Sequence, residues 1–222
     1  MIIRTEAIVL RAMEYGETSR IVTLFTREKG KMAVMAKGAR LLKSRFGSSL
    51  EPMSHSQVVF YFKQGRGLQT LSESALVRPL LGISRNLEKL ALGQRTVELV
   101  YALMPEQEQH QQVFDILLHV LSRLDSAEEH AANLLPYFQL RLAMVLGFTP
   151  DIDRDLVASL PEEGGLLSLD DGAVLPLHVQ RTGRRASRTA LRAYAVFARA
   201  DLDTIMRMRL EPPVRHEVNA LI

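Results

Sequence analysis

Near residue 80 the chain changes its hydrophobic period. Before that point apolar and polar residues alternate, as in EAIVLRAM and SRIVTLFT; beyond it apolar residues recur every three or four positions, as in HQQVFDILLHVLSRL. A period of two lays one face of a strand on a core, and a period near 3.6 does the same for a helix. Both patterns in succession along 222 residues predict an α+β protein, with a β domain at 1–80 and a helical domain at 81–222. Charge changes at the same place. Residues 1–80 hold thirteen Lys and Arg against six Asp and Glu, a net of +7, whereas the remainder has a net of −4. Such a split points to one module that meets a polyanion and another that meets protein.

Five strand-like runs fit into residues 1–80. The first ends before Tyr15 and Gly16, the second at the turn Glu28–Lys29–Gly30, the third at Gly38. After a basic connector come QVVFYFKQGRG and LQTLSESALVR, separated by a turn at Gly65–Arg66–Gly67. Antiparallel strands this short must close on themselves or be covered to protect their edges. A five-stranded, partly open barrel of the oligonucleotide-binding (OB) type satisfies that need, with a small SH3-like barrel as the competitor. Phe60 and Phe62 share one face of their strand and read as core, leaving Tyr61 and Tyr15 as candidates for base stacking.

The connector KGARLLKSR carries Lys37, Arg40, Lys43 and Arg45 within nine residues. Cations on a loop just past a strand can grip phosphate oxygens without reading a base. Arg27, Lys29, Lys31 and Arg11 are secondary candidates for the same surface. Farther on, Arg181, Arg184, Arg185 and Arg188 form a second basic patch before a helix that Ser187 or Thr189 caps.

In the helical part, Ile83, Leu87, Leu90, Val97 and Val100 share one stripe, and Val113, Leu117, Val120, Leu121 and Leu124 another. A third helix starts at an Asn133 cap, accepts Pro136 in its first turn and closes at Gly147. Residues 151–180 read as a small β-containing insertion, with two strands around Asp171–Gly172. Long apolar helices leave room for a peptide groove.

Several chemistries are excluded or disfavoured. The chain has no Cys, so disulfides, thiolate catalysis and thiolate metal sites are impossible. His110 and His119 lie on opposite faces of one helix, His130 has no matching ligand, and Asp151, Asp153 and Asp155 lack the later residues of a calcium loop. No phosphate-cradling Gly loop and no Ser–His–acid set stands out, so no metal, cofactor or enzymatic activity is expected. No apolar segment is long enough to span a bilayer, and the expected location is cytoplasmic.

The stretch AIVLRAMEYGETSRIVTLFTREKGKMAVMAKGAR resembles the bacterial recombination mediator family RecO, through Tyr15, Glu17, Ser19, Thr26, Gly30 and Lys37–Gly38–Ala39–Arg40, continued by Ser44 and Leu50–Glu51–Pro52. LGFTPDIDR, Gly164–Gly165 and residues 190–192 agree more loosely. The resemblance implies an OB barrel before a helical domain. It also implies binding and annealing of single- and double-stranded DNA, association with the nucleoid, and help in loading recombinase onto coated strands. The implied partners are RecR and the acidic, apolar-ended tail of single-strand DNA-binding protein. For that tail the expected site is Lys89, Arg95, Arg123 and Arg141 around a pocket drawn from Leu121, Leu124, Leu140 and Met144. The alternative is an OB-fold adaptor for proteins with incidental DNA affinity. Many members of the family carry a four-cysteine zinc module after LGFTP, which this sequence lacks.

Overall fold

A computed structural model describes residues 1–222. The chain opens with β1 (Ile2–Tyr15), β2 (Ser19–Thr26), β3 (Gly30–Ala36), β4 (His55–Tyr61) and β5 (Leu68–Arg78). They close into a barrel in the order β1-β2-β3-β5-β4. Every neighbouring pair is antiparallel except β3 and β5, which run parallel. That crossing is the Greek-key path of an OB barrel, and it removes the SH3-like alternative. The barrel is closed, not partly open. Its interior holds Val9, Val22, Leu24, Val34, Phe60 and Leu71.

The outer wall is partly covered as well. Ile8 and Phe25 lie opposite each other in the β1–β2 register, point away from the interior cluster and are fully buried. Phe25 stacks 6.2 Å from Phe114 of α3 (Gln111–Ser126). The first compact unit therefore runs from Met1 to Ser126 and includes α1 (Leu81–Ser84), α2 (Leu87–Leu103) and α3. The helical run from Ile83 is broken because Asn86 turns to cap α2, its side chain accepting from the Lys89 N–H at 3.0 Å. This rotates the expected stripe. Leu87 and Leu90 are exposed, and α2 buries Gly93, Thr96, Val97 and Val100 instead. Gly93 serves packing: a Cβ there would meet Met53 Sδ at 2.6 Å. Gly30 is doubly constrained, with φ at +62° and the Glu108 carbonyl where a Cβ would stand. The α3 stripe is buried as expected.

The second unit, Ala127–Ile222, contains α4 (Leu134–Val145), α5 (Arg154–Ser159), α6 (Arg188–Arg199), α7 (Leu202–Arg207) and α8 (Pro212–Leu221). A three-stranded sheet lies among them in the order β7-β6-β8, with β6 (Gly165–Ser168), β7 (Val174–Pro176) and β8 (Gly183–Ala186). Its third strand departs from the sequence reading, which ran 183–186 into a helix. Arg184 and Arg185 are both exposed, so β8 shows no alternation to read. Asn133 is also not the cap expected of it. It is fully buried, its amide donates to the Ile205 and Met208 carbonyls at 2.9 Å, and its oxygen accepts from Arg215. Gly147 does close α4, at φ +96°. Its N–H donates to Met144 O and that of Phe148 to Ala143 O, the paired bonds of a Schellman ending. Leu191, Tyr194, Phe197, Ile205 and Val218 centre this unit's core. No helix of the protein is long and apolar enough to cross a membrane.

Candidate nucleic-acid interface

The connector after β3 leaves the barrel at Lys37 and returns at Phe46, whose ring is buried in the barrel interior. Between these anchors the chain is held by turns: Leu41 N–H donates to Gly38 O at 3.2 Å and Ser44 N–H to Leu41 O at 2.9 Å. Arg40 fastens the loop to the β1–β2 hairpin. Its backbone N–H donates to Thr18 O and its guanidinium to Gly16 O, each at 2.9 Å, and it pairs with Glu14 at 2.9 Å. Lys37, Lys43 and Arg45 are exposed and carry no ion pair; Arg45 lies 5.1 Å from the Phe46 ring centre. The four residues are thus brought together, but in two roles. Arg40 positions the loop, and the other three present charge.

Strand registers show what adjoins this loop. Met13 faces Ile21, Ile21 faces Met35, Met35 faces Thr70 and Thr70 faces Tyr61. All five alternate with interior residues, so they form one outward row that winds round the closed barrel from β1 to β4. Met13 is 47% and Tyr61 54% exposed. Tyr15, also exposed, stands two residues beyond Met13 on the same side of β1. Apart from Thr70 the row is apolar, and its exposed Tyr61, with Tyr15 close to the other end, suits stacking of bases. Past Tyr61, the β4–β5 turn carries exposed Lys63 and Arg66. Gln69 holds that turn by accepting from Lys63 N–H and donating to the Lys63 and Arg66 carbonyls. Lys29 stands 5.4 Å from the Phe62 ring centre nearby. Sequence reasoning left out Lys63 and Arg66 because they are two isolated cations; the parallel register Ala33↔Leu68 sets their turn beside the start of β3, at the other end of that strand from Lys37.

Two secondary candidates do other work. Arg27 pairs with Glu6 at 3.2 Å and Asp115 at 2.5 Å and lies 4.5 Å from the Phe114 ring centre. Burial opposes its charge, but its hydrogen bonds to Asp115 and Glu6 prevail and hold the guanidinium above the ordinary arginine value. It joins the barrel to α3. Lys31 donates to the Tyr101 carbonyl at 2.7 Å and joins the barrel to α2. Arg11 is exposed, 5.9 Å from the Tyr101 ring centre.

The second basic patch is largely engaged within its own unit. Arg181 pairs with Asp171 at 2.7 Å, Arg184 donates to Ala220 O, and Arg188 donates to Leu160 O at 2.9 Å. Asp171 is held below the usual carboxylate range, chiefly by Ser168, then by Ala173 N–H and Arg181. Arg185 alone of the four has no such partner and is exposed. Ser187 does cap α6, accepting from Ala190 N–H at 3.2 Å.

The residues expected to form the tail site divide between the two units. Lys89, Arg95 and Arg123 belong to the first unit and Arg141 to the second. Leu121, Leu124 and Leu140 are buried in closed cores, and Met144 is only half-buried. Lys89 donates to Asp125 O at 3.1 Å. Arg141 donates to Ala198 O at 2.9 Å and to Ala200 O, satisfying carbonyls at the end of α6, with its guanidinium 4.9 Å from the Tyr137 ring centre. A different feature has the expected chemistry. A groove of about 430 Å³ between α5 and α6 has Val157, Ala158, Ala195 and Val196 as its apolar floor, with Arg154, Arg192 and the carboxylate of Asp155 also lining it.

Comparison with known sequences decides the family. The family model described as "Recombination protein O N terminal" matches residues 1–80, and "Recombination protein O C terminal" matches 84–222. The chain belongs to the RecO family. A DNA repair protein RecO from Salinibacter ruber is 53% identical over 222 residues, covering all of this chain and 85% of that protein. Another RecO, from Chloroherpeton thalassium, is 30% identical over 234 residues, covering all of this chain and 90% of the relative. One from Chlorobium limicola is 35% identical over 161 residues, 72% of this chain and 62% of that protein. Membership gives the chain a role in DNA repair and recombination. The RecO models divide the chain after residue 80, at the end of the barrel, whereas compactness divides it after Ser126 because α2 and α3 pack on the barrel wall.

The zinc module of other RecO members does not fit here. There is no Cys, and no group of three His, Asp or Glu lies close enough to hold an ion. Ile152, Val157, Leu160, Leu167 and Val174 join the core around α6 instead, so residues 151–180 are held by apolar packing.

Proposed function

We propose that this RecO family member binds single- and double-stranded DNA through its barrel and anneals complementary strands. In that role it helps load recombinase onto single-strand-binding-protein-coated DNA, in the cytoplasm at the nucleoid. The observation that carries this reading is the exposed, unpaired charge of Lys37, Lys43 and Arg45 beside a largely apolar outer row with Tyr15 and Tyr61 near its ends. Cations grip sugar–phosphate and carry no sequence information. The row stacks bases of any identity. Annealing then needs no covalent step. Two strands held on one cationic surface repel each other less and meet at high local concentration, and base pairing supplies the specificity. RecR is the proposed partner, with DNA, in this task.

The proposed seat for the acidic tail of single-strand DNA-binding protein is the α5–α6 groove. Its apolar floor suits the terminal side chain, and Arg154 and Arg192 suit the carboxylates.

Affinity for a single-stranded oligonucleotide, measured across a salt series, tests the main reading. We expect log K to fall linearly with log salt, with a slope of roughly −0.7 per phosphate contacted. A flat response, or no binding at low salt, refutes it. Annealing of complementary strands with and without single-strand DNA-binding protein separates a mediator from a protein adaptor, which would retain DNA weakly and leave annealing unaccelerated.

A further inference from the structure

The loop that carries the barrel's exposed cations also carries two leucines at its tip. Leu41 is 54% exposed and Leu42 is 107% exposed, the most open large apolar residue of the chain. An isolated surface leucine needs no account. This pair differs in three ways. It is bracketed by Lys37 and Arg40 on one side and Lys43 and Arg45 on the other. It is held out by a braced loop, with Arg40 bonded to the β1–β2 hairpin before it and Phe46 buried in the barrel after it. Its turn is also tight: Leu41 packs over Gly38, where a Cβ would meet Leu41 Cδ1 at 3.3 Å and where φ is +74°. No part of the first unit covers Leu42.

The surrounding charge determines what can cover it. Four cations within nine residues make the tip unattractive to a basic or neutral apolar partner that cannot match them. A polyanion matches them, and nucleic acid is a polyanion whose interior presents apolar base faces. Once phosphates lie on Lys37, Lys43 and Arg45, the leucine pair is brought to the bases. Apolar side chains inserted between base steps unstack them, and in a duplex they kink it.

We propose that Leu41 and Leu42 form a wedge that enters the base stack of bound DNA, with Leu42 as its point. This rests on the barrel binding DNA as proposed above. The wedge gives the loop a second task besides attraction. Annealing requires bases to leave stacks within one strand before they pair with another, and a wedge keeps a step open while the flanking cations retain the backbone.

The experiment uses the full chain and a single-stranded oligonucleotide with 2-aminopurine at an internal position, whose emission rises when stacking is lost. Wild type should raise the emission on binding. Leu42→Ser should lose most of that rise, lose affinity by roughly threefold to tenfold, and keep the salt slope, because it touches no phosphate contact. Leu42→Phe should keep or increase the rise. Leu42 is open to solvent, so the melting temperature should not move in either variant. If Leu42→Ser binds with the wild-type emission change, the wedge is wrong while DNA binding by the barrel stands. If wild type itself fails to bind at low salt, both readings fall.

Discussion

Two basic segments, 37–45 and 181–188, each carry four cations within nine residues and are put to opposite use. In the first, Lys37, Lys43 and Arg45 are exposed and make no ion pair, and Arg40 alone is engaged, bracing the loop. In the second, Arg181, Arg184 and Arg188 meet Asp171, Ala220 O and Leu160 O. The difference lies in the acceptors. Segment 37–45 bulges from a closed barrel whose backbone groups already pair with one another. Segment 181–188 crosses a unit built of short helices and a three-stranded sheet, where terminal carbonyls want donors. Charge density in a sequence therefore states how many cations exist, not how many are available to a ligand.

The sharpest way to break this contrast is to reverse the charge of the barrel loop. Lys37→Glu, Lys43→Glu and Arg45→Glu together should weaken DNA binding by roughly 100-fold at low salt and flatten the salt slope. The thermal unfolding curve should stay in place, since none of the three holds another element. Binding within a few-fold of wild type would show that the surface lies elsewhere on the barrel, with Lys63 and Arg66 next in line.

Cations engaged in structure should behave in the opposite way. Arg141→Ala removes the donor to two carbonyls at the end of α6 and should lower the stability of the second unit by about 2 kcal/mol. Arg27→Ala should lower that of the first unit by about 1 kcal/mol, because the guanidinium is partly exposed and its pairs are screened. Both proteins, when folded, should bind DNA within about twofold of wild type. Chemical denaturation followed by binding at a temperature where each variant is folded checks both halves. A large affinity loss with unchanged stability would return Arg27 to the DNA surface.

The smallest effect concerns the second unit's core under alkali. Tyr194 is 2% exposed, and burial pushes its phenol up to about 12. The fold favours the neutral form, so this contribution is complete below the ordinary tyrosine value of about 10 and is lost as pH rises from there through about 12. Tyr194→Phe should lose less stability over that window than wild type. Equal alkaline losses in the two proteins would place the sensitivity in another group.

What the sequence alone determined is the five barrel strands, the longer helices and the location of the charge. The period of two marked the five strands of the barrel, because each strand has one face to bury. The stripe Val113–Leu117–Val120–Leu121–Leu124 marked α3 for the same reason, and Ser187 marked the start of α6. A local rule fails where a residue's partner is distant in the chain. Asn133 looks like a helix cap and is instead a buried clamp on the Ile205 and Met208 carbonyls. Leu121 and Leu124 look like a pocket and are core. Arg27 and Lys31 look like DNA ligands and tie helices to the barrel. Tertiary structure alone decided the strand order, and with it the row from Met13 to Tyr61 and the place of Lys63 and Arg66. The physical reason is that periodicity reports which side of an element is buried. Which groups meet across that burial, and which cations are left to water, depends on pairings between residues tens of positions apart, and no local pattern encodes those.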